Sequence, residues 1–283
     1  MRNQIMLATL FFLWKTILPA HASDADSSRA WQKELIGSLS LSQSQFDNWS
    51  QGGENAWSWQ IDLLPGFSHN NGDWNWTGAG KLSYGQSKIS GTGSRKTADE
   101  CRIESVNAYQ LDSTFSVCIS LTGLTQFSAG YQYEGEEKTA ISGFLDPGFF
   151  TQSIGFRYTR GKNIQSRLGP ALKEVVANRH AGLYTDDPAT ADQEKVTIEL
   201  GAESSTDVNF KLSKIIWWSS KLEWFANFKS LRDVDVNWDN VISAKIDKYI
   251  HVNLNIRLFY DRDISAKRQY KQILSAGVSY SFL

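Results

Sequence analysis

The feature that most constrains this chain is a period-two pattern in its last stretch, Gln272–Leu283, which reads QILSAGVSYSFL. Apolar residues alternate there with small or polar ones, and consecutive side chains of an extended strand face opposite sides. The alternating apolar residues are Leu274, Ala276, Val278, Tyr280 and Phe282. A strand with one aromatic, apolar face and one small, polar face is typical of the wall of a membrane β-barrel.

The same pattern recurs along the chain and predicts twelve strands. They cover Glu34–Gln43, Trp57–Ser68, Trp74–Tyr84, Tyr109–Val117, Gln126–Tyr133, Ser153–Thr159, Ile164–Lys173, Lys195–Leu212, Lys221–Phe228, Val234–Ile246, Ile250–Tyr260 and Gln272–Leu283. The eighth strand is unusually long, but its alternation is unbroken across Ser204–Asp207, which favours one strand over a hairpin.

The connections between these strands are predicted to alternate between long and short. Polar loops are expected at Gln86–Arg102, Glu134–Gly148 and Val175–Gln193, and short turns near Ser120 and at Gly161–Asn163. An even number of strands with such connections is the plan of a single-chain outer-membrane barrel, whose two termini lie on the periplasmic side. We therefore predict an all-β fold, a transmembrane antiparallel up-and-down β-barrel of about 12 strands.

Residues 1–22 match the pattern of a secretory signal peptide. Arg2 supplies a positive start, Ile5–Trp14 is apolar, and Ala20-His21-Ala22 forms a small-residue cleavage signal. An N-terminal membrane anchor is the alternative, although the apolar stretch is shorter than the roughly 20 residues that a spanning helix needs. The prediction is a cleaved signal peptide over 1–22 and an outer-membrane β-barrel over 23–283.

Composition argues against a helical membrane protein and against a nucleic-acid partner. After residue 22, runs of large apolar residues reach only about four residues, as at Ile215–Trp218, which is far below a helical span. A barrel wall needs apolar residues only at alternate positions, so a mean hydropathy of −0.37 is compatible with 11 Trp, 10 Tyr and 15 Phe. The formal net charge of −1 indicates no basic surface for nucleic acid.

The two cysteines, Cys101 and Cys118, are predicted to be free thiols. If both flanked one strand, they would lie about 56 Å apart. A disulfide needs Cα atoms within about 7 Å of each other, and the sequence contains no Cys-x-x-Cys motif.

A soluble β-sandwich also alternates and is the competing fold. Sandwich strands are usually about 5 or 6 residues long, whereas many strands here reach the roughly 9–11 residues that cross a membrane at a tilt. Aromatic residues also lie near the predicted strand ends, as at Trp57, Trp59, Trp74 and Trp76. Two interfacial aromatic girdles would explain this placement, which favours the membrane barrel.

The polar face of the strands is predicted to line the lumen, and it carries charges of both signs. The nine lumen-lining candidates are Arg157, Arg167, Lys173, Glu199, Glu203, Lys221, Glu223, Asp235 and Arg257. Charges in a narrow barrel have to be hydrated or paired, because an isolated buried charge is very costly. Two interpretations stay open: a narrow conduit or binding lumen for a small polar solute, and a closed interior whose salt bridges only hold the barrel together.

A loop motif lies between the first two predicted strands. It consists of Asn48, Trp49, Gly52, Gly53 and Glu54. The two glycines permit a tight reversal, and the tryptophan either tucks into the mouth of the lumen as a gating element or belongs to a structural turn.

This loop motif, together with Val236–Trp238, Lys245–Ile250, Tyr260–Ile264 and the last strand, resembles the domain-of-unknown-function outer-membrane barrels typical of Bacteroidetes and Chlorobi. The resemblance implies an outer-membrane location and brings no established activity. The expected partners of such a barrel are outer-membrane lipid, the barrel-assembly machinery and a small polar solute.

An outer-membrane hydrolase is the competing functional class. It would need a nucleophile, a base and an orienting group within hydrogen-bond reach. After residue 22 the only histidines are His69, His180 and His251, and neither a Gly-x-Ser-x-Gly nor a His-Glu-x-x-His motif is present. The acidic loop segments Glu134–Glu137 and Asp186–Asp187 lack calcium-loop spacing and are expected to be solvated. We predict no catalytic residue, no metal and no cofactor.

Overall fold

A computed structural model describes residues 31–45, 55–91, 93–134, 137–187, 189–231, 234–262 and 267–283. Within these residues the alternating segments form strands and one helical turn. The elements are β1 (Gln32–Ser44), β2 (Ala56–Asn71), β3 (Trp74–Ile89), β4 (Arg95–Gln110), β5 (Phe115–Thr125), β6 (Gly130–Glu134), β7 (Glu137–Ser142), β8 (Gly148–Arg160), β9 (Ile164–Val176), α1 (Ala181–Tyr184), β10 (Val196–Lys211), β11 (Ile216–Asn227), β12 (Val234–Lys245), β13 (Ile250–Tyr260) and β14 (Gln269–Ser281).

Twelve of the described strands form one closed barrel. Each pairs antiparallel with its neighbours in the order β1-β14-β13-β12-β11-β10-β9-β8-β5-β4-β3-β2, and β2 pairs with β1 again. The remaining two strands, β6 and β7, pair only with each other and form a separate hairpin between β5 and β8. The predicted all-β, up-and-down barrel of twelve strands is confirmed.

The connections alternate as predicted and give the barrel two unlike ends. We call the end with tight connections the turn end and the other the loop end. Tight turns join β2 to β3 and β8 to β9, where Gly72 and Gly161 take positive φ values of 61° and 60° that favour glycine. The start of β1 and the end of β14 lie at the turn end, because the number of strands is even.

Four predictions in the first half of the chain are wrong. The predicted loop Gln86–Arg102 is mostly strand, because β4 begins at Arg95. The predicted strand Tyr109–Val117 contains the turn between β4 and β5, and the predicted turn near Ser120 lies inside β5. Of the predicted strand Gln126–Tyr133, only the part from Gly130 is strand, and it belongs to the β6–β7 hairpin and not to the barrel wall.

The count of twelve nevertheless holds, because β4 and β5 replace the two misplaced segments. The single long strand predicted across Ser204–Asp207 is confirmed as β10. Both cysteines are free, although they lie on neighbouring strands and not on one. Cys118 pairs with Ala108 and Cys101 with Thr125, so seven positions of the β4–β5 ladder separate them.

The outer wall of the barrel is apolar and exposed. Large side chains stand open around the circumference, among them Leu41, Ile61, Ile103, Ile119, Ile154, Phe156, Leu168, Leu200, Leu222 and Leu274. The interior, in contrast, contains most of the buried charged groups, such as Arg157, Arg167, Lys173 and Glu203. This order inverts that of a soluble sandwich and is the architecture of a membrane barrel.

Aromatic pairs follow the turn end of the outer wall. They are Phe67 with Trp76, Trp74 with Tyr109, Phe115 with Tyr158, Phe210 with Trp218, and Tyr249 with Tyr280. A band of this kind is what an interfacial girdle requires, because amphipathic rings are stabilised at the level of the lipid headgroups. Within the described residues, no helix has the length and apolarity needed to cross a membrane.

The exposed outer wall can be tested at Ile103, which lies at the centre of β4 and is 61% exposed. We expect Ile103→Lys to lower the free energy of unfolding from lipid vesicles by about 2–4 kcal/mol, because a cation then faces hydrocarbon near the midplane. Ile103→Val is the control and should cost about 0.8 kcal/mol or less, the value of one methylene. Denaturant titrations followed by tryptophan fluorescence measure both, and equal stabilities would contradict a lipid-facing Ile103.

Candidate functional site in the barrel lumen

A row of three charged residues on β4 organises the lumen. Glu100, Arg102 and Glu104 alternate with Cys101 and Ile103, so the three charges share one face and point inward, while Ile103 lies on the outer wall. Sequence reasoning missed this row, because the predicted loop Gln86–Arg102 included Glu100 and Arg102. The spacing Glu-x-Arg-x-Glu was the available signal, since period two places all three side chains on one side of a strand.

This row contacts strands on the far side of the barrel. In the order of the wall, β11 and β13 flank β12, which is the strand diametrically opposite β4. Arg102 pairs with Glu223 on β11, and Nη1 of Arg257 on β13 lies 2.7 Å from Oε2 of Glu100. These ion pairs therefore cross the lumen.

Glu104 makes two of these cross-lumen ion pairs. It pairs with Arg167 on β9, and its Oε2 lies 2.8 Å from Nζ of Lys221 on β11. One carboxylate thus joins three strands that are not neighbours in the wall. We call the residues of these cross-lumen pairs the constriction network: Glu100, Arg102, Glu104, Arg167, Lys221, Glu223 and Arg257.

A second group lies nearer the loop end and is centred on one ammonium. Nζ of Lys173 lies 2.6 Å from Asp235, 3.3 Å from Glu199 and 3.3 Å from Asp261. We call these four residues the Lys173 cluster. Three carboxylates around one cation leave the cluster with an excess of negative charge, which would favour cations at this level of the lumen.

Glu203 connects the constriction network to the wall at β5. Its Oε1 lies 3.4 Å from Nε of Arg167 and accepts a hydrogen bond of 3.1 Å from the hydroxyl of Ser120, and Ser153 donates to it as well. A buried carboxylate with several donors is compensated for most of the solvation that it loses.

The structure gives all nine predicted lumen residues an inward position but divides them among different groups. Arg167, Lys221, Glu223 and Arg257 belong to the constriction network, and Lys173, Glu199 and Asp235 to the Lys173 cluster. Glu203 adjoins the first group, and Arg157 lies apart, with Asn75 as its hydrogen-bond partner. The predicted loop motif, Asn48, Trp49, Gly52, Gly53 and Glu54, lies outside the described residues.

At the loop end, Asp146 joins two long connections. Its carboxylate accepts hydrogen bonds from the backbone N–H groups of Asn178 (2.8 Å), Arg179 (3.0 Å) and His180 (3.3 Å), and Nδ1 of His180 lies 3.0 Å away. Burial raises the pKa of Asp146, but the donors of Asn178 and His180 outweigh burial, so the pKa lies below its ordinary value. It is therefore the ionised carboxylate of Asp146 that holds the β9–β10 loop in place.

Neither a metal site nor a catalytic constellation emerges from the part of the chain that the structure describes. It contains no group of three or more His, Cys, Asp or Glu residues that could hold a metal ion. Among the same residues, the ring of His180 bonds to Asp146, whereas Nδ1 of His69 and of His251 has no hydrogen-bond partner.

Comparison with protein families gives one partial match. A family model described as "Protein of unknown function (DUF3078)" matches residues 41–131, about a third of the chain. The matched residues include the Asn48–Asn55 motif, whereas the segments from Val236 to Ile264 lie outside the match, and the expected taxonomic range stays a prediction. A search of curated proteins returns no match.

Several solved membrane barrels are similar in outline to this chain. The translocator domain of autotransporter NalP from Neisseria meningitidis has 8% identity and a TM-score of 0.38, over 98% of this chain and 95% of that one. The COG4313 outer membrane channel from Pseudomonas putida F1 has 10% identity and a TM-score of 0.41, over 92% and 99%. The KdgM porin in complex with disordered oligogalacturonate has 12% identity and a TM-score of 0.35, over 88% and 99%. At TM-scores this low, neither the fold nor the function described here rests on these likenesses.

The Lys173 cluster yields a stability prediction. We expect Lys173→Met to lower the free energy of unfolding by about 3 kcal/mol, because removing one partner leaves the remaining buried charges uncompensated. Lys195→Met, at an exposed lysine beside β10, is the matched control and should change stability little. Denaturant unfolding measures both variants, and addition of Asp235→Asn to Lys173→Met should restore part of the loss. Equal effects of the two lysine variants would contradict the cluster.

The loop junction at Asp146 yields a pH prediction. Because its pKa is lowered in the folded state, its contribution is fully present above the unfolded-state pKa of about 3.9 and is lost as the pH falls below that value. At pH 7, we expect the backbone amides of Asn178 and His180 to exchange about tenfold faster in Asp146→Asn than in the wild type, because a hydrogen bond to a charged acceptor is lost. The wild type should approach the variant below about pH 4.

Hydrogen exchange by mass spectrometry, corrected for intrinsic rates, measures this loop opening. Asp192→Asn serves as the control, because its exposed carboxylate lies elsewhere in the same loop. Wild-type protection of residues 178–180 that is unchanged between pH 7 and pH 3 would show that Asp146 does not hold the loop through its charge.

Proposed function

We propose that this chain is an outer-membrane β-barrel that carries a small polar solute through its lumen, with the constriction network as the narrowest point. The observation that carries the proposal is the combination of an apolar outer wall with a charged interior crossed by ion pairs. A closed polar lumen in a membrane-spanning wall is the arrangement that polar solutes need to cross hydrocarbon.

The outer membrane is the proposed location. A signal peptide over 1–22 would export the chain, and the barrel over 23–283 would insert with the help of the barrel-assembly machinery and bind outer-membrane lipid. The exposed apolar belt and the aromatic band at the turn end support insertion in a bilayer.

The chemistry of the constriction network suits a passage that opens and closes. Arg102, Arg167, Lys221 and Arg257 reach the centre on long, flexible side chains, so their ion pairs can be exchanged without any movement of the wall. A charged solute can compete for either partner, because each pair presents both signs of charge. Water or salt in the lumen weakens such pairs further.

A closed barrel that acts through its loops is the second candidate. It is favoured by the number of cross-lumen contacts and by the order of the loop end, where Asp146 joins two connections and β6–β7 forms a hairpin. A hydrolase has less support, because the described residues show no hydrogen bond between a histidine ring and a Ser, Thr or Cys side chain.

Single-channel recording in a planar bilayer tests the passage. We expect the wild type to give small ohmic steps and Glu104→Ala to raise the conductance by at least about twofold, because that change removes two cross-lumen links at the narrowest point. Glu137→Ala, on the exposed β7 strand of the hairpin, is the control with an equal loss of charge and should leave the conductance unchanged.

Insertion is established separately by heat-modifiable mobility in gels. If inserted wild type and inserted Glu104→Ala are both silent over the full voltage range, the passage is wrong and the closed barrel replaces it. Equal effects of Glu104→Ala and Glu137→Ala would show that the constriction network does not limit the current.

A further inference from the structure

Arg157 differs from the other arginines of the lumen. Arg102, Arg167 and Arg257 each contact at least one carboxylate. Arg157 is only 8% exposed, yet among the described residues no carboxylate lies within ion-pair distance of it. A buried guanidinium without a counter-charge is costly, and the cost falls when an anion binds.

Within the described residues, Arg157 makes one hydrogen bond, which leaves the Nε edge of its guanidinium without a partner. Nη1 donates to Oδ1 of Asn75 across the lumen at 3.0 Å. Nε is buried and has no partner within the described residues. The N–H groups of Nε and Nη2 point in parallel, and two parallel donors match the two oxygens of a carboxylate, sulfate or phosphate group.

The surroundings of Arg157 are polar or small and hold little negative charge. Its cross-strand partner on β5 is Ser116, which is buried. Its partner on β9 is Arg167, and the next residue in this row, Ser205 on β10, has a buried hydroxyl without a hydrogen-bond partner. Two arginines directly opposite each other repel, and Arg167 has its own carboxylates in Glu104 and Glu203.

We propose that Arg157, oriented by Asn75 and flanked by Ser116, binds an oxyanion group in the turn half of the lumen. The inference rests on the passage proposed above, because it assigns an oxyanion group to the solute that this passage takes. Arg157 is three residues from the end of β8, so the site lies near the turn end and away from the negatively charged Lys173 cluster.

A native cysteine provides a reporter of this site. Cys118 faces the lumen two residues from Ser116 on β5, and its cross-strand partner is Gly155, two residues from Arg157. The chain contains only two cysteines, so Cys101→Ser leaves Cys118 as the single thiol. All measurements use the full-length barrel with this change, folded in detergent or lipid.

The test compares two thiol reagents of opposite charge, an anionic sulfonatoethyl and a cationic trimethylammonioethyl methanethiosulfonate. We expect the anionic reagent to modify Cys118 at least about tenfold faster, because a nearby guanidinium in a medium of low dielectric attracts the sulfonate. Inorganic sulfate should slow the anionic reagent by occupying the site. Because both reagents react with the same thiol, a change in the intrinsic reactivity of Cys118 alters both rates equally and leaves their ratio unchanged.

Arg157→Gln should bring the ratio of rates close to one and abolish the protection by sulfate. Arg160→Gln is the matched control, since this exposed arginine lies three residues further along the same strand, and it should keep both effects. Arg157→Lys serves as a second variant if Arg157→Gln does not fold. It should keep the preference for the anionic reagent but lose most of the protection, because an ammonium offers no paired donors.

Equal rates for the two reagents, a ratio that Arg157→Gln leaves unchanged, or a folded barrel in which neither reagent reaches Cys118 would overturn the site. The outcome is separable from that of the proposed function. If the inserted barrel does not conduct but still shows the Arg157-dependent ratio of rates, the oxyanion site is supported and the proposed passage is wrong. If the barrel conducts but does not show that ratio, the passage is supported and the oxyanion site is wrong.

Discussion

Backbone hydrogen bonding is the constraint on which the whole arrangement depends. In hydrocarbon no water can pair with an unsatisfied N–H or C=O group, so a sheet that spans a membrane has to close. Here β1 and β14 provide the closure, with a register that runs from Ile36–Ser281 to Leu41–Ala276. At this seam a Cβ on Gly277 would lie 2.3 Å from the carbonyl oxygen of Leu39, so only glycine permits the close approach of the two strands.

Closure of the wall then leaves only one place for the charges. Because each strand alternates and its outer face is apolar, the acidic and basic residues of the spanning segments point into the lumen. Twelve strands make that lumen narrow enough for Glu100, Arg102 and Glu104 on β4 to reach β11 and β13. The same ion pairs therefore hold opposite walls together and define the narrowest point of the proposed path. Arg157 is the exception, since it shares this environment but has no carboxylate partner among the residues that the structure describes.

The fold was predictable where alternation is bounded by clear turn residues, as in the second half of the chain from β8 onward. It was not predictable around β4 and β5, and the reason is physical. Tyr109 and Leu111 keep the same parity as Phe115 and Val117, because Leu111 faces Phe115 across the turn and an odd number of residues, three, lies between them. The beginning of β4, Arg95–Glu100, has the polar composition of a loop. The apolar and polar alternation of Phe127–Tyr133 enters a strand only at Gly130, and that strand, β6, belongs to the β6–β7 hairpin.

What the sequence determined by itself is the face that each side chain takes. Period two assigned the nine candidate charges to one side of their strands and the aromatic and aliphatic residues to the other, since this property is local to each strand. Only the tertiary structure decided which charge meets which. Arg102 and Glu223 are 121 residues apart, and their contact depends on the register of every strand between them. The closed wall sets that register as a whole, so no local pattern could predict that Arg102 would have a carboxylate partner and that Arg157 would have none among the described residues.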